Sequence, residues 1–541
     1  MTLTVFTGGT IVVAARADGS TELTEALAIE AGRVVAHGCA ALDLASQDGA
    51  QTIDLAGGTL APAVGEGHAH PVLGGLEAQG PAVREAKDLA GILDAVKTWK
   101  QQNPSAEWIV GASYDATFAP GGRFDARWLD EVTGDTPTVL RSWDYHTVWV
   151  NTAALKAAGI TADTPDPELG RILRRKNGAP LGTLQEAAAN DLLANVVPAF
   201  ALETRVSALE AATLAYAEQG TTWVQDAWVD PADLDTYRVA ARTDRLHTRV
   251  NLALRADPAN WREQIAEFIA VRKEIRALAH PRLSAETIKF FVDGVIENHT
   301  AALTDDYADT PGDRGLANWS EDDLTAAVAA LDAAGFQLHL HAIGDRAVRI
   351  ALDALEAARD VDPGRDRHHV VAHVAMLAPA DVERFAQLGV IANFEPYWAQ
   401  CDAVMQSLTI PHIGHDRDSW QYLIGSIARS GATVSFGSDW PVTTKDWRPA
   451  FATAVTRRDV TNPEDPTWLP DECISPATAY AAYTEGIARQ ALAHDRGSLE
   501  VGRVADLVWL SANPLEVAPE LVPELEVRGT WLAGDVTYAK N

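Results

Sequence analysis

The sequence predicts an α/β protein: a distorted TIM-type (β/α)8 barrel, with a small β-sandwich domain built from both termini and a subdomain inserted after the first barrel strand. Three observations carry this expectation. Eight apolar, strand-length runs alternate with helix-period segments through the middle of the chain. Short strands broken by glycine turns occupy both ends. About 150 residues separate the first barrel run from the second, far more than a connecting loop requires.

Residues 1–58 read as the first part of the sandwich, through "TVFTGGTIVVAA", "ALAIEAGRVVAHG" and "QTIDLAGGTLAPA". Residues 59–484 read as the barrel. Its strands in order are "TLAPAV", "TTWVQDA", "VNLALRA", "IKFFVDG", "FQLHLHA", "HVVAHVA", "VIANFEP" and "VSFGSDW". Between them lie segments such as "DDLTAAVAALDAAG" and "DRAVRIALDALEAARD", whose apolar positions recur at three and four residues, as an amphipathic helix requires. The insertion, residues 75–205, has apolar runs of its own, "WIVGAS" and "TPTVLRSW", and the helical stretch "DLAGILDAVKTWKQQN". It leaves the barrel at the face where strand ends carry chemistry. Residues 485–541, with "GSLEVGRVADLVWLS" and "VRGTWLAGDVTYA", read as the second part of the sandwich.

Composition narrows the partners. Of 541 residues, 47% are hydrophobic, enough for a sizeable core. Lys and Arg number 44 against 75 Asp and Glu, a formal charge of −31 that repels nucleic-acid phosphates and anionic membranes. The expectation is no nucleic acid and no membrane partner. With no basic segment leading into a continuous apolar run, and no apolar run long enough to span a bilayer, the expected location is the cytoplasm. Cys39, Cys401 and Cys473 are too few and too scattered for a disulfide framework or a cysteine-based zinc site. A homodimer is the default expectation for a soluble protein of this size.

The candidate site begins at "GEGHAH". With 15 histidines in the chain, about 0.4 His-x-His pairs arise by chance, so His68 and His70 mean little alone. Their position matters more. Residues i and i+2 of a strand share a side, so two imidazoles are delivered to one point in a barrel mouth. The other candidates also sit at or near strand ends: Lys289 in the fourth run, His341 in the fifth, His373 in the sixth and Asp439 in the eighth. Imidazoles and a carboxylate suit zinc and related divalent ions. His339, two residues before His341, is a rival ligand on the same strand. Lys289 also reads as a snorkelling surface lysine, and Asp439 as a turn aspartate before proline. His368 and His369, at the other end of the sixth run, read as packing or solvent-facing.

The constellation resembles the amidohydrolase superfamily, and the local text is similar to its exoenzyme-regulatory-protein-like branch, which includes N-substituted formamide deformylase. The resemblance spans nearly the whole chain. It rests on "GHAHP" (67–71), "SWDYHTVWVNTAAL" (142–155), "GTLQEA" (182–187), "IKFFVDGVIENHTAAL" (288–303), "HLHAIGDRAV" (339–348), "FGSDWPV" (436–442) and "GSLEVGRVADLVWL" (497–510). The resemblance implies that His68 and His70 hold the more buried of one or two metal ions, most simply zinc. It implies that Lys289 is carbamylated and bridges the ions, and that His341 and His373 bind the second. Asp439 then binds metal and serves as general base. A carbamate fits that place physically, since it offers anionic oxygens where an ammonium would repel a dication. Ion-activated hydroxide would attack the substrate near neutral pH. The chain departs from the branch in having Ala372, not an acidic residue, before His373.

His146, before "TVWVN", matches a histidine that in this branch lies near substrate, a place from which it would polarise a carbonyl oxygen; it also reads as a packing residue under a lid. Trp143, Tyr145, Phe394, Tyr397, Trp398 and Trp440 are expected to line the mouth, favouring a small-molecule substrate with a flat or apolar group. The expected activity is metal-dependent hydrolysis of a C–N bond, in an amide or N-substituted formamide. The alternatives are deamination of a heterocycle, opening of a lactam or lactone by the same site, and a non-catalytic binding protein on the same barrel.

Overall fold

Eight parallel strands form the central sheet of the computed structural model, which describes residues 3–462 and 464–540. In chain order these are β1 (Val64–Ala69), β2 (Thr221–Val229), β3 (Arg249–Arg255), β4 (Leu283–Phe291), β5 (Gln337–Ala342), β6 (Val370–His373), β7 (Ile391–Phe394) and β8 (Val434–Phe436). Each pairs in parallel with the next. Just beyond β8 the chain bridges back to β1 at Ala69 and Trp440, so the sheet is nearly closed. Helices such as Leu202–Glu218, Glu321–Ala333 and Asp345–Val361 pack outside it through buried Leu, Val and Ala side chains. The barrel is distorted where β1 meets β2, since their register slips twice.

Glycines set that seam. A methyl group on Gly67 would lie 2.3 Å from Asn393 Nδ2 and 2.8 Å from the Phe436 carbonyl oxygen; one on Gly437 would lie 2.7 Å from the His68 backbone nitrogen. Only a residue without Cβ lets β1, β7 and β8 approach this closely. Gly67→Ala is accordingly expected to cost about 1–3 kcal/mol of stability through forced backbone shifts, read as a lower urea midpoint at unchanged slope. An unmoved midpoint would refute this account of the seam.

The first barrel strand differs from its sequence reading. "TLAPAV" is not one strand: Thr59–Pro62 belongs to a terminal sheet, and β1 starts at Val64, after the single residue Ala63. No turn separates them, so a single apolar run serves two sheets. Thr59–Pro62 sits between Thr10–Ala15 and Leu507–Leu510 in a six-stranded sheet that interleaves both ends of the chain. A four-stranded sheet holds Thr4–Thr7, Leu27–Glu30, Arg33–His37 and Gln51–Asp54. Phe6, Leu27 and Ile29 of the latter share one apolar cluster with Ile11, Leu60, Leu507 and Trp531 of the former. Arg249 of β3 ties the barrel to these sheets through Asp506, at 2.7 Å.

Between β1 and β2 the chain builds a five-stranded sheet, in the order Gly170–Arg174, Pro180–Glu186, Thr147–Val150, Thr138–Ser142, Ile109–Tyr114. Two apolar clusters of its own support it, one around Val148, Ile172 and Leu184 and the other around Tyr114, Phe124 and Trp149. Among the described residues no helix is long and apolar enough to cross a membrane. The three cysteines are unpaired, with Cys39 exposed.

Candidate metal centre

The strand ends converge as barrel topology dictates. His68 lies near the end of β1, and His70 is the residue from which the next helix, Pro71–Glu77, starts. Two backbone bonds lock this corner to the opposite edge of the sheet: Asp439 N–H donates to the His68 carbonyl and His70 N–H to the Trp440 carbonyl, both at 2.7 Å. Asp439 Oδ1 then stands 2.9 Å from His70 Nε2 and 3.7 Å from His68 Nε2. Lys289, near the carboxyl end of β4, is fully buried, with Nζ 3.3 Å from His68 Nε2. Burial in the barrel therefore excludes the surface-lysine reading.

His339 and His341 of β5 point to the same side but at different depths. His339 Nε2 is 2.9 Å from His68 Nδ1, and the residue lines neither of the cavities that reach the centre. His341 lines both, with its ring 4.4 Å from that of His373 and 5.4 Å from that of His146. His373 is also 4.5 Å, ring to ring, from His68. All six side chains expected as ligands thus meet at one end of the barrel.

Two carboxylates that the sequence reading passed over, Glu395 and Asp226, complete the cluster. Glu395, one residue beyond β7, is buried and accepts from His373 Nδ1 at 2.8 Å, with its other oxygen 3.9 Å from His68 Nδ1. Asp226, in β2, stands 3.9 Å from His70 Nδ1. Their only sequence signal was an acidic residue at the carboxyl end of an apolar run. Asp293 accepts backbone N–H groups from Ala302, Ile343 and Gly344 and lies 3.8 Å from His341 Nε2, so it braces the loops behind that ring. Glu66 accepts from the backbone of His68 and Ser438 and from Ser438 Oγ, riveting β1 to the end of β8.

Burial governs the electrostatics. It pushes His68, His339 and His341 well below the usual histidine value, with Lys289 or His373 adding to the effect, so these rings are neutral and offer lone pairs. Burial lowers the Lys289 amine to about 7. It raises Asp226, Asp293 and Glu66 to about 8. Asp439 goes the other way: burial would raise it, but the contact with His70 holds it below the usual carboxylate value.

The donor set fits a divalent ion. Buried and without a hydrogen-bond partner are His70 Nδ1, His373 Nε2, Glu395 Oε1 and Asp439 Oδ1. Unpaired buried polar atoms are costly, and a cation held in this cluster would satisfy those that face it. Candidate ligand atoms of His68, His70 and Asp439 lie within 4.8 Å of one another, as do those of His68, His373 and Glu395.

The inserted subdomain brings His146 to the mouth. Glu186 accepts from its Nδ1 at 2.9 Å. Burial would lower His146, but Glu186, assisted by Asp144, raises it to about 9, so the ring is an imidazolium at neutral pH. Two cavities of about 860 and 730 Å³ open from the centre, and both are lined by His146, His341, His373 and Asp439. Trp143, Tyr397, Trp398 and Trp440 line the smaller, where the Trp398 ring stacks on His373 at 5.5 Å. Tyr145, at φ 60°, lines the larger.

Phe394 lines neither cavity. It is fully buried in the apolar core, while the residues on either side of it, Asn393 and Glu395, reach Ser435 and His373; strand alternation turns Phe394 away from the mouth. His368 and His369 are buried and bonded to Asp366 and Asp332, so they pack and do not face solvent.

The sequence profile of the "Amidohydrolase family" matches residues 51–538. The chain is 30% identical over 401 residues to the exoenzymes regulatory protein AepA of Pectobacterium carotovorum subsp. carotovorum, covering 71% of this chain and 83% of that one. It is 25% identical over 537 residues to N-substituted formamide deformylase of Arthrobacter pascens, covering 97% and 96%. Among solved structures, an uncharacterized metal-dependent hydrolase of Pyrococcus horikoshii OT3 superposes with a TM-score of 0.74 at 21% identity, over 96% of this chain and 99% of that one, a likeness of fold alone.

Proposed function

This chain belongs to the amidohydrolase family, and from that premise we propose that it hydrolyses a C–N bond in an amide with an apolar or aromatic substituent, N-substituted formamides included. The observation that carries the reading is the pair of candidate ligand groups, His68 with His70 and Asp439 and His68 with His373 and Glu395, of which His373 and Asp439 line both cavities. His68, His70, Lys289, His341, His373 and Asp439 would hold one or two divalent ions, and the nitrogen and oxygen donors suit zinc. Lys289, buried among the histidines, is the place for a carbamate. When bound, the ion polarises a carbonyl oxygen and lowers the pKa of water toward ~7.

The chain's own groups do the rest. Asp439 takes the proton of the attacking water and carries it to the departing nitrogen, from a position beside His70 that keeps it ionised. His146, charged through Glu186, donates to the oxygen on which negative charge develops. Trp143, Tyr397, Trp398 and Trp440 receive the flat group and exclude water around it. The larger cavity leaves room for a group on the other side of the scissile bond. We read the two terminal sheets, which share an apolar cluster, as one sandwich that supports the barrel.

A substrate panel tests the proposal. N-benzylformamide and N-benzylacetamide are expected to release benzylamine with kcat/KM about 10- to 200-fold above their N-methyl counterparts. A chelator is expected to abolish turnover and Zn²⁺ to restore it. Equal turnover of benzyl and methyl amides would remove the aromatic assignment. Ammonia from heterocycles with no amine from any amide would replace amide hydrolysis by deamination.

A further inference from the structure

A second set of ligating side chains converges away from the barrel mouth. His299 follows the short turn Ile296–Asn298 and is held in the left-handed region at φ 55°. His412 lies in the helical turn Ile410–Ile413. Their rings face each other with centroids 4.1 Å apart. Asp309 sits between them, one oxygen 2.9 Å from His299 Nε2 and the other 2.7 Å from His412 Nδ1. The histidine side chains are 18% and 13% exposed and that of Asp309 38%, so solvent reaches the cluster, unlike the barrel centre. None of the three takes part in the chemistry proposed above.

We propose that His299, Asp309 and His412 form a separate structural site for a borderline divalent cation such as zinc or cobalt, with solvent completing its coordination. Two imidazole nitrogens and a carboxylate oxygen are the donors such ions take. The ligand atoms already lie within 4.8 Å of one another. Tetrahedral ligands at ~2.0–2.2 Å from an ion stand about 3.3–3.6 Å apart, so the present hydrogen-bonded contacts, at 2.9 and 2.7 Å, need to open by about 0.4–0.9 Å.

The site joins two segments that wall the aromatic cavity. Besides the triad, Ala308 N–H donates to the His412 carbonyl at 2.7 Å and Thr409 Oγ1 to Glu297 at 2.5 Å. Val404, Met405, Leu408 and Thr409, just before His412, line that cavity. An ion on the triad fastens this wall to the loop following β4, far enough along the chain that neither segment holds the other covalently.

Cobalt is the probe. In crystals of the wild-type protein equilibrated with Co²⁺, an anomalous peak at the cobalt edge is expected between the three side chains, in addition to those at the barrel centre. Asp309→Asn with His412→Gln is expected to carry one cobalt fewer per chain while keeping amide turnover within about twofold of wild type. Co²⁺ is expected to slow proteolysis within residues 402–414 in wild type but not in that variant. Absence of the peak, or equal cobalt content in the two proteins, overturns the site whether or not the barrel centre proves to hydrolyse amides. A purely hydrogen-bonded triad gives that negative result.

Discussion

Asp439→Asn is expected to lower kcat by about 10³-fold with little change in thermal stability. The residue is 8% exposed, and its Oδ1 stands 2.9 Å from His70 Nε2 and 3.7 Å from His68 Nε2 at the floor of both cavities, the arrangement of a base kept ionised beside the metal ligands. Asparagine keeps the shape but cannot accept and return a proton. It also tolerates the left-handed backbone at φ 52°, where most residues would be strained, so the loss is chemical and not conformational. Initial rates with N-benzylformamide, set beside the melting temperature, provide the check. A kcat within tenfold of wild type would take proton transfer away from Asp439.

The second large effect concerns Lys289. Lys289→Met preserves volume in a fully buried place and is expected to lower metal affinity about 10²-fold, measured by competition with a chromogenic chelator. Its stability effect depends on pH with a definite sign. In metal-free, bicarbonate-free wild-type protein, burial lowers the amine from 10.5 to about 7. Between those values the unfolded chain binds a proton that the folded one does not, so stability rises with pH across the window. The penalty is fully present below about pH 7 and is relieved as pH climbs toward 10.5. Wild type is therefore expected to gain on the methionine variant between pH 7 and 9.5 in urea unfolding. A constant difference between the two proteins would show that this lysine is not held as a deprotonated amine.

That His68, His70, Lys289, His341, His373 and Asp439 come together at one end of the barrel was legible in the sequence, because a parallel barrel brings its strand ends together whatever lies between them. Locating the strands therefore located their last residues. Glu395 and Asp226 were not legible, since a carboxylate at the end of an apolar run acquires meaning only from imidazoles on other strands. The same holds for Glu186, whose motif was read but whose partner His146 lies in the turn before the neighbouring strand Thr147–Val150. Phe394 was misplaced by adjacency: nearness to a strand end says nothing about which way alternation turns a side chain. The division of "TLAPAV" between two sheets was hidden because no turn residue marks it.

The interleaved terminal sheet bears on biosynthesis. Thr59–Pro62 can pair early with Thr10–Ala15 on one side but must wait for Leu507–Leu510 to leave the ribosome before its other neighbour exists, an interval of about 20 to 90 s at ~5–20 residues per second. Until then a strand edge built early in translation stays unsatisfied while the barrel assembles beside it. The longer that edge waits, the longer it is open to pairing with another chain.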